Sequence, residues 1–170
     1  LPLPRHLDEE KVLSVIDLNK DVDGFHPINI GRLAQKGREP AFIPCTPAGC
    51  MVLLERAGAK LSGANAVVLG RSNIVGMPVA LLLIKANATV TICHSRTRDL
   101  AEVIRQADVL VAAIVKPEIV KKKWVKPGAI VIDVGINKKE DTTARKGYRL
   151  VAAAAFYKVA EDAGEITTVP

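Results

Sequence analysis

Between residues 66 and 134 the sequence repeats one unit: a short unbroken apolar run, a turn, and a segment of helical length. The runs are Ala66-Val67-Val68-Leu69-Gly70, Thr89-Val90-Thr91-Ile92-Cys93, Asp108-Val109-Leu110-Val111-Ala112-Ala113 and Ala129-Ile130-Val131-Ile132-Asp133-Val134. Runs without polar alternation fit strands buried on both faces, and strands alternating with helices predict a parallel α/β sheet with right-handed crossovers. The intervening helices are expected at Pro78–Ala86, which is apolar, and Asp99–Gln106, which is amphipathic. The turn Lys126-Pro127-Gly128 introduces the fourth run, and Tyr148–Ala153 is expected as a fifth strand. Composition suits this architecture: only 4% of residues are aromatic, so the core must be built from Val, Ile, Leu and Ala. Ligands of such a sheet bind beyond the carboxyl ends of the strands. The loops at 70–76, 93–98, 113–117 and 134–138 are therefore expected to share one rim.

The first 60 or so residues are irregular. A short helix is expected over Leu7–Ile16, opened by Asp8 or Leu7, with Val12, Leu13 and Ile16 as its apolar stripe. A polar turn-rich stretch follows, Lys20-Asp21-Val22-Asp23-Gly24-Phe25-His26-Pro27. In Cys45-Thr46-Pro47, Thr46 is expected as N-cap and Pro47 at the first helical position. That helix runs through Met51, Leu53 and Leu54 to Gly58, a C-cap glycine. The 170 residues fit one domain, or one domain plus a piece of another, and 49% apolar content excludes an intrinsically disordered chain. No apolar run approaches the length of a membrane span. Cys45, Cys50 and Cys93 read as free thiols of a reducing compartment. Leu1-Pro2-Leu3-Pro4 has neither an initiator Met nor the character of a signal peptide, and Val169-Pro170 closes no helix; the chain is expected to be a segment of something longer.

Gly70-Arg71-Ser72-Asn73-Ile74-Val75-Gly76 lies between the first strand and its helix, where a dinucleotide fold places its pyrophosphate. Small residues admit the phosphates, and a helix N-terminus offers free N–H groups and positive dipole. Its glycines fall at the first and seventh positions, with Ser72 in place of the usual second glycine, so a tight turn without a ligand is the competing reading. The second strand ends in Cys93-His94-Ser95-Arg96-Thr97-Arg98, with no carboxylate before Asp99. An NAD site usually sets Asp or Glu there for the ribose 2′-hydroxyl. Ser95 with Arg71 or Arg96 would instead accept a 2′-phosphate, favouring NADP; a solvated basic loop is the alternative. Asp21 and Asp23 are either a surface charge pair or include a carboxylate facing a cleft and a ligand with paired N–H donors. The histidines His6, His26 and His94 are scattered, so no metal site is expected. Lys121-Lys122-Lys123-Trp124 reads as a solvated turn and, with one aromatic, not as a nucleic-acid surface. The net charge of +6 suits an anionic ligand or simple solubility.

Taken in order, several stretches resemble the bifunctional methylenetetrahydrofolate dehydrogenase/methenyltetrahydrofolate cyclohydrolase family. They are Leu1-Pro2-Leu3-Pro4, Lys20–Phe25, Asn29–Leu33, Pro44–Pro47, Gly70–Gly76, His94–Thr97, Lys126–Ala129 and Asp133–Asn137. The resemblance implies a Rossmann-like parallel sheet with helices on both faces, preceded by the tail of a folate-binding α/β domain. Residues 1–45 would end the folate domain, 46–60 would form the inter-domain helix, and 61–170 would be an NADP-binding domain incomplete at its C-terminus. It further implies NADP-dependent oxidation of 5,10-methylenetetrahydrofolate and hydrolysis of the product to 10-formyltetrahydrofolate. Asp23 would anchor the pterin, Gly70, Arg71 and Ser72 would hold cofactor phosphates and ribose, Ser95 would lie near the adenosine, and the Ile136 backbone would contact the nicotinamide side. A homodimer in the cytoplasm or an organelle, without membrane or nucleic-acid partners, is the implied setting. The family's catalytic Lys, in a Tyr-x-x-x-Lys motif, has no counterpart in this chain, so the segment alone is expected to be inactive, and a non-catalytic NADP-binding module is the alternative. Val115 stands where the family usually has Gly, Ala152–Ala155 where it usually has Gly-Asp, and Thr168 where it usually has Pro.

Overall fold

The computed structural model describes residues 3–143, 146–153 and 165–168. Leu1-Pro2 and Ala154-Ala155, both singled out above, lie outside them. Helix α1 (Glu9–Ser14) is capped by Asp8, whose carboxylate accepts from the Lys11 N–H at 3.2 Å. It is shorter than the 7–16 expected because it buries nothing: Leu7, Val12 and Val15 stay exposed, and an isolated turn gains no packing to extend it. Helix α2 (Pro27–Ala34) starts behind His26, whose Nδ1 accepts from the Ile28 N–H at 3.1 Å, and it buries Asn29 and Leu33.

Helix α3 (Cys45–Arg56) is capped by Pro44, not Thr46. Thr46 and Pro47 fall inside the first turn, where the N–H that Pro lacks would have no intrahelical partner anyway. Its end follows the expected glycine rule. Ala57 is the C-cap, Gly58 takes φ +71°, and the Gly58 and Ala59 N–H groups donate to Glu55 O and Leu54 O at 3.0 and 2.9 Å.

The sheet then builds as β1 (Asn65–Leu69), α4 (Gly76–Lys85), β2 (Thr89–Cys93), α5 (Leu100–Arg105), β3 (Val109–Ala112) and β4 (Ile130–Asp133). A hairpin follows, β5 (Asn137–Glu140) with β6 (Tyr148–Val151), and β7 (Glu165–Thr168) returns to the sheet. The main sheet is parallel, in the order β2-β1-β3-β4-β7. Tyr148–Ala153 is thus not its fifth strand. Tyr148 pairs antiparallel with Glu140, and a connection this short cannot make the crossover a parallel neighbour needs.

Both faces of the sheet are covered. Val67, Leu69, Leu110, Ala112 and Val131 pack with Ile104, Val120 and Val125 on one side. Ala66, Val68, Val109, Val111 and Ile132 pack with Leu54, Val79 and Leu83 on the other. Successive side chains of β1, β3 and β4 enter opposite apolar layers, which is why those runs show no polar alternation, whereas the edge strand β2 leaves Thr89 and Thr91 exposed. Among the described residues no helix is long and apolar enough to cross a membrane.

Candidate functional site

The chain leaves β1 toward β2 on one side and returns to β3 on the other, so strand order reverses between β1 and β3. Open α/β sheets hold ligands at the carboxyl ends beside such a reversal. Gly70 sits there, its N–H donating to Cys93 O at 2.8 Å. Its φ is +124°, and a Cβ would stand 2.1 Å from Ala113 O, so any side chain would force β1 and β3 apart. A Cβ on Gly76 would lie 2.4 Å from Gly70 O. The seventh-position glycine therefore exists because the turn folds back on its own start.

Ser72 takes a different part from the one its position suggested. Its Oγ accepts from the Val75 and Gly76 N–H groups, each at 3.2 Å, while its carbonyl accepts from the Met77 N–H at 3.0 Å. Pro78 has no N–H. The first turn of α4 is thus satisfied from within, contrary to the free helix N-terminus expected from sequence. Free donors lie one step earlier: the N–H groups of Arg71, Ser72, Asn73 and Ile74 find no acceptor among the described residues. Successive open N–H groups backed by a helix dipole form a cradle that fits a phosphate. The exposed Arg71 guanidinium adds a full positive charge.

At the end of β2, Cys93 is fully buried while Ser95, Arg96 and Arg98 are exposed. Burial pushes the Cys93 thiol up, with a Thr97 hydrogen bond partly offsetting it, so the group remains an uncharged thiol at neutral pH. The first carboxylate after the strand is Asp99, which occupies the N-cap of α5 at φ +48°. Arg71, Arg96, Arg98 and Lys116 are exposed cations of this rim, as is Lys138 at its far end.

The loops after β3 and β4 meet on the same edge. The Val134 N–H donates to Ala112 O at 2.9 Å, and a Cβ on Gly135 would lie 2.5 Å from Ile114 O. Ile136 and Val115 stand exposed beside this contact, at 51% and 82%. Asp133 had no role in the sequence reading. It is buried, and its Oδ1 accepts from the Gly135 and Ala153 N–H groups at 2.9 and 3.2 Å, fixing the loop that presents Ile136. A carboxylate ending an apolar strand was the available signal.

Asp21 and Asp23 are not a surface pair. Asp21 is buried and accepts from the Phe25 and His26 N–H groups and from Asn29 Nδ2, at 3.1, 2.9 and 2.7 Å. Asn29 Oδ1 in turn accepts from the Ala41 N–H at 2.8 Å. Gly24, at φ +67°, presses its backbone against Phe42, Ile43 and Pro44. Asp23 stands exposed beside Gly24, whose backbone packs close to Pro44 at the start of α3. Elsewhere, Trp124 is partly buried and packs against the core. Among the described residues no cluster of His, Cys, Asp or Glu could hold a metal.

Doubly covered parallel strands, with the reversal and its glycine turn at their carboxyl edge, define a Rossmann-like nucleotide-binding domain. Residues 44–170 match the family model of the tetrahydrofolate dehydrogenase/cyclohydrolase NAD(P)-binding domain, and the chain belongs to that family. It is 56% identical over 170 residues to the bifunctional protein FolD 2 of Arabidopsis thaliana, covering 100% of itself and 57% of that relative. It is 58% identical to the mitochondrial C-1-tetrahydrofolate synthase of Saccharomyces cerevisiae, of which it covers 17%. The crystal structure of Trypanosoma brucei methylenetetrahydrofolate dehydrogenase-cyclohydrolase, complexed with NADP and an inhibitor, superposes with a TM-score of 0.94 at 44% identity, over 100% of this chain and 58% of that one. The chain thus spans little more than half the length of the Arabidopsis and Trypanosoma proteins, and far less of the yeast one.

Proposed function

We propose that this chain forms the NADP-carrying side of an enzyme that oxidises 5,10-methylenetetrahydrofolate to 5,10-methenyltetrahydrofolate and hydrolyses the product to 10-formyltetrahydrofolate. The observation that carries the reading is the pairing of the open donors at 71–74 with a β2 end bearing Ser95 and Arg96 and no carboxylate before Asp99. The N–H groups after Gly70 and the Arg71 side chain hold the pyrophosphate, the close contact of Gly70 with Ala113 keeps that floor flat, and Ser72 fixes the turn. Ser95 and Arg96 receive the 2′-phosphate through charge-assisted hydrogen bonds. When bound, the nicotinamide supplies the hydride acceptor, and the Ile136 backbone, held by Asp133 through Gly135, borders it. Asp23 accepts from the paired N–H donors of the pterin.

In this division residues 1–45 end the folate-binding part, 46–60 join the parts, and 61–170 carry the nucleotide. A homodimer accords with the family resemblance. No residue here takes the role of the family's Tyr-x-x-x-Lys amine, so turnover needs the rest of the protein.

One observation favours a second reading, a nucleotide-binding module without catalysis: an exposed Val115 stands in the loop after β3 where the family usually has Gly. The complete protein supplied with methylenetetrahydrofolate and NADP separates the two. Growth of absorbance at the reduced-nicotinamide band supports the enzyme. NADP binding without that signal supports the module, and no binding at all refutes both.

A further inference from the structure

We propose that Thr97 is a positioning residue that sets the preference for a 2′-phosphorylated nucleotide; the inference rests on the NADP reading above. The chain after β2 makes a single turn, closed by the Thr97 N–H donating to His94 O at 2.9 Å. The Thr97 side chain closes it a second time: its Oγ1 accepts from the His94 N–H at 2.8 Å. His94 Nδ1 accepts from the Arg96 N–H at 3.1 Å, tying the outer limb of the turn to its base. Cys93, the residue before this turn, is fully buried, so the turn springs from the core.

The residues left at the two outer positions of this turn are Ser95 and Arg96, both exposed. They make no side-chain bond to another described residue that would aim them. Their direction is set by the backbone beneath, and the backbone is set by Thr97 and His94. A hydroxyl and a guanidinium grip one phosphate well only when held in place beforehand, because ordering them at binding subtracts from affinity. NAD carries no group for this corner, so loosening the turn should leave its binding nearly untouched.

The test compares Thr97→Val, which keeps the shape and removes the hydroxyl, with Thr97→Ser, which keeps the hydroxyl. NADP, NAD, 2′,5′-ADP and ADP are titrated into each by calorimetry, and thermal unfolding is recorded alongside. The expected result is about a tenfold loss for NADP and 2′,5′-ADP in the Val variant, roughly the effect of one charged hydrogen bond, with under twofold change for NAD and ADP. The Ser variant should restore the wild-type preference. Equal losses for all four ligands, or no loss for any, overturn the proposal. If the Val variant does not fold, Thr97→Ala against Thr97→Ser carries the same comparison with the same two outcomes. A wild-type chain that binds neither NADP nor 2′,5′-ADP refutes the NADP reading itself, a result distinct from an unchanged preference in the variants.

Discussion

Replacing Gly76 by Ala should destabilise the chain through one contact alone. Gly76 does not need a left-handed backbone, so Ala adds no conformational strain there. Its Cβ, however, would stand 2.4 Å from Gly70 O, 2.7 Å from Gly70 C and 2.8 Å from Arg71 N. All three are backbone atoms at the mouth of β1, and none can swing aside as a flexible side chain would. The turn must open by nearly an ångström, against strands packed on both faces. Overpacking of this kind costs about 1–3 kcal/mol. With a urea dependence of roughly 1–3 kcal/mol per molar, the unfolding midpoint should fall by about 1 M. Gly49 is the control: it lies inside α3 with nothing within 4 Å of its would-be Cβ. Gly49→Ala should therefore stabilise, by about 0.5–1 kcal/mol, through helix propensity. Urea titration followed by circular dichroism reads both. A Gly76→Ala midpoint equal to or above wild type would refute the reasoning, and with it the view that the glycine spacing serves the closure of the turn.

Three further outcomes follow from the same geometry. Arg71→Ala or Ser95→Ala should weaken NADP more than NAD in calorimetric titration; equal losses would remove the 2′-phosphate assignment. Asp23→Ala in the complete protein should abolish folate turnover while leaving NADP affinity intact, because the loop is held by Asp21 and Gly24, not Asp23; loss of both would show a folding role. A chromogenic thiol reagent at pH 8 should report Cys45 promptly and the other two cysteines only on unfolding. Cys50 is buried, and that burial raises its thiol to about 11, leaving almost no reactive thiolate until the pH rises well beyond 8. Three thiols reacting at one native rate would contradict the buried placement.

The sheet was legible because β1, β3 and β4 are buried on both faces and fall within a residue or so of the reading, while the half-exposed edge strand β2 falls on Thr89–Cys93 as read, marked by its β-branched residues. The hairpin of β5 and β6 was not, since a short run such as Tyr148-Arg149-Leu150-Val151 carries no mark of its partner's direction; the length of the intervening loop decides that. The rim was legible as a set of loops, but not its donors. Sequence spacing suggested a free helix N-terminus, whereas Ser72 occupies it and the open N–H groups fall at 71–74. Likewise two neighbouring acids, Asp21 and Asp23, look alike in sequence. Only the Asn29 amide and two backbone N–H groups, brought in by the start of α2, separate a buried organiser from an exposed tip.

Amide chemical-shift mapping of the isotopically labelled chain during NADP titration tests the central claim most directly. Saturable changes should concentrate at 70–76, 93–98, 113–116 and 134–137, with the Arg71–Ile74 amides moving furthest. Changes concentrated instead at the opposite edge of the sheet, around residues 58–64 and 128–130, would contradict it.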